Sequence, residues 1–131
     1  MLVRTEMVER NPHPATVVRA HTPAGVATVL WGGGREEAEG THVVEWTVDE
    51  DLRWGCNARP AALAEPGLRD EGDRVVLRGR LSPTEDGAAY LHVGDAPILF
   101  DLASPLPAEA HGTWVEVAVG AGSVSLHPCR T

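Results

Sequence analysis

Apolar and polar residues alternate with a period of two along most of the chain, in short runs interrupted by Gly, Pro and Asp. Such alternation places successive side chains on opposite faces of an extended strand. The runs 15–21 (ATVVRAH) and 26–31 (VATVLW) flank Thr22-Pro-Ala-Gly25. This predicts a hairpin, because Pro and Gly supply the restricted and permissive backbone positions of a tight turn. A polar, glycine-rich stretch at 31–41 (WGGGREEAEGT) reads as a mobile loop. In 41–48 (THVVEWTV), His42, Val44, Trp46 and Val48 share one face, and Thr41, Val43, Glu45 and Thr47 the other. Asp49-Glu50-Asp51 ends that strand, and 52–56 resumes extended structure.

The segment 57–73 departs from the pattern. Pro60-Ala-Ala-Leu-Ala-Glu65 has the composition for about one helical turn, and Pro66-Gly67 stops it, so a short helix or a linker is expected near 60–66. Alternation returns at 74–81 (RVVLRGRL), with Val75, Leu77 and Leu81 on one face and Arg74, Arg78 and Arg80 on the other. After a turn at 82–87, the run 88–93 (AAYLHV) puts Ala89, Leu91 and Val93 inside and Tyr90 and His92 outside. Runs 97–102, 113–119 and 124–127 complete about nine strands. Sheets with almost no helix to cover them must pack apolar face on apolar face, as a barrel or a sandwich. At 131 residues the expectation is all-β, one domain over 1–131, built as a single small antiparallel barrel.

The order of three strands, a short helix and two more strands over 15–99 resembles an OB-fold barrel, in which a helix or loop lies between the third and fourth strands. The segment 58–66 takes that place, and Glu71-Gly-Asp-Arg-Val-Val-Leu-Arg-Gly-Arg80 resembles a fourth OB strand. A second framing takes 74–128 as the five barrel strands, and only one of the two can hold. The resemblance implies oligonucleotide binding, which the charge opposes. Eleven cations, all Arg, face nineteen acids for a net charge of -8, whereas nucleic-acid affinity rests on clustered positive charge. Residues 1–73 carry -6 of this and 74–131 carry -2. The absence of Lys beside abundant Ala, Gly, Pro and Arg is the signature of a GC-rich genome. No apolar run approaches a membrane span and no signal-peptide core is present, so a soluble, cytoplasmic protein is expected.

The candidate chemistry centres on the hairpin 74–93. With its apolar face inward, parity brings Arg74, Arg78 and Arg80 onto the outer face that carries Tyr90 and His92. Guanidinium forks pair with phosphate or carboxylate, and the rings offer a stacking surface. This face is the expected site for a protein partner or a small anionic ligand; the alternative is that these Arg side chains pair with the chain's own carboxylates. His42 and Trp46 mark a second candidate, an interior site for a small ligand or for acid–base work.

Weaker features carry bland readings. Cys56 and Cys129 have no metal-ligand spacing and read as free thiols. Asp49-Glu50-Asp51 lacks the spacing of a calcium loop, and Gly32-Gly33-Gly34-Arg35 lacks the ending of a phosphate loop. Ser123 and Ser125 beside His127 have no nucleophile elbow. No catalytic residue, metal or cofactor is therefore assigned. The favoured function is a non-catalytic binding module acting through the Arg/aromatic face. A ligand-binding barrel or small enzyme near His42 and Trp46, and a single-strand nucleic-acid binder, are the alternatives. The N-terminal segment 2–8, taken as an exposed edge strand, offers a route to a homodimer.

Overall fold

The computed structural model describes residues 1–8 and 15–129. They form an all-β fold around a closed five-stranded barrel. Its strands are β1 (Leu2–Val8), β2 (Val17–Thr22), β3 (Gly25–Trp31), β4 (Gly40–Val48) and β11 (Val124–Pro128). β1 pairs antiparallel with β2 and β4, β2 with β3, and β4 with β11, and a parallel β11–β3 pairing closes the ring. Val3, Val18, Ala20, Ala27, Val29, Trp31, Val44, Trp46, Val124 and Leu126 are buried on the alternating positions that period-two spacing requires. Full burial of each large side chain contributes about 1.5–3 kcal/mol against the entropy of ordering the strands.

Six strands intervene between β4 and β11: β5 (Ala58–Pro60), β6 (Gly67–Glu71), β7 (Arg74–Pro83), β8 (Ala88–Val93), β9 (Ala96–Asp101) and β10 (Trp114–Gly120). β6, β7, β10 and β5 lie side by side, and β6 joins the barrel through a short parallel pairing of Gly25 and Val26 with Leu68 and Arg69. Strand β7 changes neighbours along its length, lying beside β6 at 74–78 and beside β8 at 80–83. Gly79 permits the switch, since a Cβ there would collide with the His92 carbonyl. The buried side chains of both parts form one contiguous cluster.

Several sequence expectations are corrected. Both barrel framings, 15–99 and 74–128, give way to one in which the fifth strand lies beyond the insertion 49–123. Alternation reveals strands but not their partners, and a long insertion adds little closure entropy. Of the two readings of 60–66 the linker holds, since no helix forms there; Ala58–Pro60 just before it makes the edge strand β5 against β10, and short 3₁₀ turns lie at Arg35–Glu37, Ala108–Ala110 and Ala121–Ser123. Eleven strands form among the described residues, where about nine were expected. Leu2–Val8 is not an edge strand, because β2 and β4 flank it, so the proposed dimer edge is occupied within the chain. The glycine-rich loop folds back on the barrel: Ala38 is buried and the Trp31 indole N–H donates to the Gly34 carbonyl at 2.9 Å. No helix among the described residues is long and apolar enough to cross a membrane.

Candidate functional site

The hairpin β7–β8 forms with Arg80 opposite His92, Leu81 opposite Leu91 and Ser82 opposite Tyr90. Leu77, Leu81, Ala89, Leu91 and Val93 are buried beneath it. The five residues predicted to share its outer face divide into two groups. Arg80, Tyr90 and His92 lie at one end, where the Tyr90 and His92 rings stand 6.0 Å apart. The Arg80 guanidinium donates to the Gly112 carbonyl at 2.9 Å and lies 6.0 Å from the centroid of the Trp114 ring. Arg74 and Arg78 lie in the other half of β7, beyond β8 and between β6 and β10.

There Arg78 is held by the chain's own carboxylates. It stands opposite Glu116 of β10 and reaches that carboxylate at 3.5 Å, while its Nε donates to the Glu65 carbonyl at 2.8 Å. Arg59 from β5 and Arg69 from β6 also converge on Glu116, each at 3.4 Å, and Arg69 pairs with Glu71 at 3.1 Å. Burial raises the proton affinity of Glu116, but hydrogen bonds and charge from Arg69 and Arg59 outweigh it and hold the carboxyl below the usual carboxylate range. Sequence reasoning missed Arg59, Arg69 and Glu116. The available signal was Glu116 itself, one acid alternating with Val115, Val117 and Val119 in a strand with no other charge.

The aromatic end of the hairpin adjoins a groove of about 410 Å³ between β4 and β9. Strand β9 pairs only with β8 and runs alongside β4 without a hydrogen-bonded ladder. Met1, Val43, Trp46, Tyr90, Pro97 and Leu99 are among the residues lining the groove, with Glu45 and the exposed thiol of Cys129. Val43 and Leu99 are 53% and 47% exposed. Both occupy outward positions of strands whose alternate residues are buried.

His42 and Trp46 take the same face of β4, as predicted from parity. His42 packs on Trp31, with ring centroids 4.9 Å apart. The His42 Nε2 and Trp46 Nε1 atoms are buried without a hydrogen-bond partner. The two positions lie four residues apart on that face, about 13 Å along the strand.

The remaining motifs are structural. Glu50 accepts from the Gly120 N–H at 3.0 Å and from the Asn57 amide at 3.2 Å, tying the start of the insertion to its end. Gly32 and Gly33 lie against His127 and Pro128 of β11, leaving no room for a side chain. Ser125 and His127 share a hydrogen bond of 3.2 Å on an exposed strand face, and Glu45, across the ladder from His127, forms no ion pair with it.

No protein-family model, curated protein or solved structure matches this chain.

Proposed function

We propose that the protein is a non-catalytic binding module that docks an apolar segment of a partner protein in the groove between β4 and β9. The observation that carries this reading is the gathering of exposed apolar side chains at one place. Among the described residues six large apolar side chains are exposed; Val43, Tyr90 and Leu99 line the groove, and Leu2 lies across the β1–β4 ladder from Val43. Single exposed apolar residues are ordinary on a protein surface, whereas a contiguous set rimmed by polar groups marks an interaction site.

The partner's chemistry follows from the rim. Glu45 lines the groove, Asp95 precedes the lining residue Ala96, and the chain carries -8 overall. An apolar segment with a basic flank complements that field. Side chains rather than a strand ladder hold it. Pro97 removes a main-chain donor from the outer edge of β9, and the Asp101 carbonyl already accepts from Leu52 N–H at 2.8 Å. In this reading Tyr90 and His92 of the hairpin face contribute at the groove's margin, and Arg78 does not take part.

The connectivity of the barrel resembles that of an OB fold, with the 3₁₀ turn Arg35–Glu37 standing between the third and fourth strands where that family carries a helix. The acidic balance argues against carrying over the family's affinity for nucleic acid.

The test is selection of peptides from a random displayed library on the folded chain, followed by affinity measurement on the parent and on Val43→Asp, Leu99→Asp and Leu63→Asp. Selected peptides should pair apolar residues with Arg or Lys. The first two variants should weaken them tenfold or more, and Leu63→Asp, at an exposed apolar residue that does not line the groove, should leave them unchanged. Equal binding to all three variants would overturn the reading. So would sedimentation of the parent as a dimer that Leu99→Asp dissociates, since a second copy would then cover the groove.

A further inference from the structure

On the outer face of β6, β7, β10 and β5, charged residues stand in rows across the strands. One row sets Arg78, Glu116 and Arg59 side by side, and another sets Glu71 beside Arg74. Between them lie Val76 and Ala118, directly opposite each other, whose short side chains leave a depression. The result is a hollow of about 180 Å³ with Val76 and Ala118 in its lining, Arg59 and Glu116 on one row and Arg74 and Glu71 on the other, beside the turn Cys56-Asn57.

The donors around this hollow exceed what the chain asks of them. A guanidinium carries five N–H groups and binds a carboxylate at about 2.7–2.9 Å when the fit is good. The three contacts to Glu116 are all longer, at 3.4, 3.4 and 3.5 Å. Arg59 is 73% exposed and reaches Glu116 only at the longer distance of 3.4 Å. Arg74, also exposed, forms no ion pair among the described residues. The lining holds Arg59 and Arg74 beside Glu71 and Glu116, and Arg69 and Arg78 bring further donors to the Glu116 row.

We infer that this hollow binds a tetrahedral oxyanion, a phosphate ion or the phosphate of a small monoester, between the guanidiniums of Arg59 and Arg74. A planar carboxylate presents one edge to one fork, whereas a tetrahedral dianion offers oxygens to two forks on opposite sides. The volume admits a phosphate group. Glu116 keeps Arg59, Arg69 and Arg78 in place, and the incoming anion takes the donors it leaves over. This site lies on strands that do not line the β4–β9 groove, and it stands or falls independently of partner docking.

The experiment is an amide NMR titration at pH 7.5 with inorganic phosphate and, separately, glycerol phosphate, at ionic strength held constant with sodium chloride. Saturable shifts are expected at Asn57, Arg74, Glu116 and Ala118, with half-saturation at millimolar concentration or below. Arg59→Gln and Arg74→Gln should each weaken binding at least fivefold with a melting temperature lowered by no more than about 3 °C, and Arg4→Gln on β1 should titrate as the parent does. Tighter binding of glycerol phosphate would identify a monoester as the ligand, and equal or weaker binding would identify the free ion. Shifts that fail to saturate, that chloride reproduces, or that persist in both Arg variants would overturn the assignment. If one variant unfolds, the other decides.

Discussion

Replacing Glu116 by Gln tests the arginine cluster directly, because it removes the charge on which three strands converge while keeping the side chain's size. Arg78 and Glu116 are each 13% exposed, and a partly buried charge-assisted pair of this kind contributes about 1–2 kcal/mol. Arg59 and Arg69 are 73% and 45% exposed, so solvent screening reduces each of their pairs to about 0.2–0.5 kcal/mol. The expected loss is therefore about 1.4–3 kcal/mol near neutral pH. In a chain of this length that corresponds to a drop in melting temperature of roughly 6–12 °C. The carboxyl of Glu116 titrates lower in the folded chain than in the unfolded one. Its contribution is thus complete above the ordinary carboxylate range, about pH 4.3, and disappears as pH falls through the depressed folded value. Urea unfolding followed by tryptophan fluorescence, at pH 7 and at the lowest pH where the parent remains folded, provides the assay. Parent and variant should differ at pH 7 and converge in acid. A difference below about 0.5 kcal/mol at pH 7, or one of equal size at both pH values, would refute the reasoning.

Two further predictions concern the fork where β3 leaves β6 for β11. Gly25 has φ +143° and its Cβ position falls on the Leu68 carbonyl, so Gly25→Ala should cost about 2–4 kcal/mol by chemical denaturation. Gly122, which has open space around it, is the control, and equal effects at the two sites would contradict the close approach of β3 and β6. Asp70 fills the gap in the ladder by accepting from the Thr28 N–H at 2.8 Å and the Thr28 hydroxyl at 2.9 Å. Asp70→Ala should cost about 1 kcal/mol and speed hydrogen exchange at the Thr28 amide; unchanged protection there would show that the bond contributes nothing.

The sequence by itself determined most of the strands and their faces, though not β5 and β6, which lie where alternation lapses. Alternation in 41–48 put Trp46 and His42 inward, and alternation in 74–93 buried Leu77, Leu81, Leu91 and Val93. These are consequences of a period of two and of turn residues, both local. Which strands would meet was a different matter. The barrel closes by bringing Leu126 beside Trp31, and Glu116 meets Arg59, Arg69 and Arg78 from three other strands. Neither set of partners can be read locally, because closure entropy grows only slowly with separation and the choice among partners is made by packing the whole core. The same holds for the candidate surfaces. Parity placed Arg74 and Arg78 on the outside with Tyr90, but only the change of neighbour at Gly79 separated the paired arginines from the aromatic end. Only the lateral approach of β9 to β4 then turned Val43 and Leu99, each unremarkable in its own strand, into opposite walls of one groove.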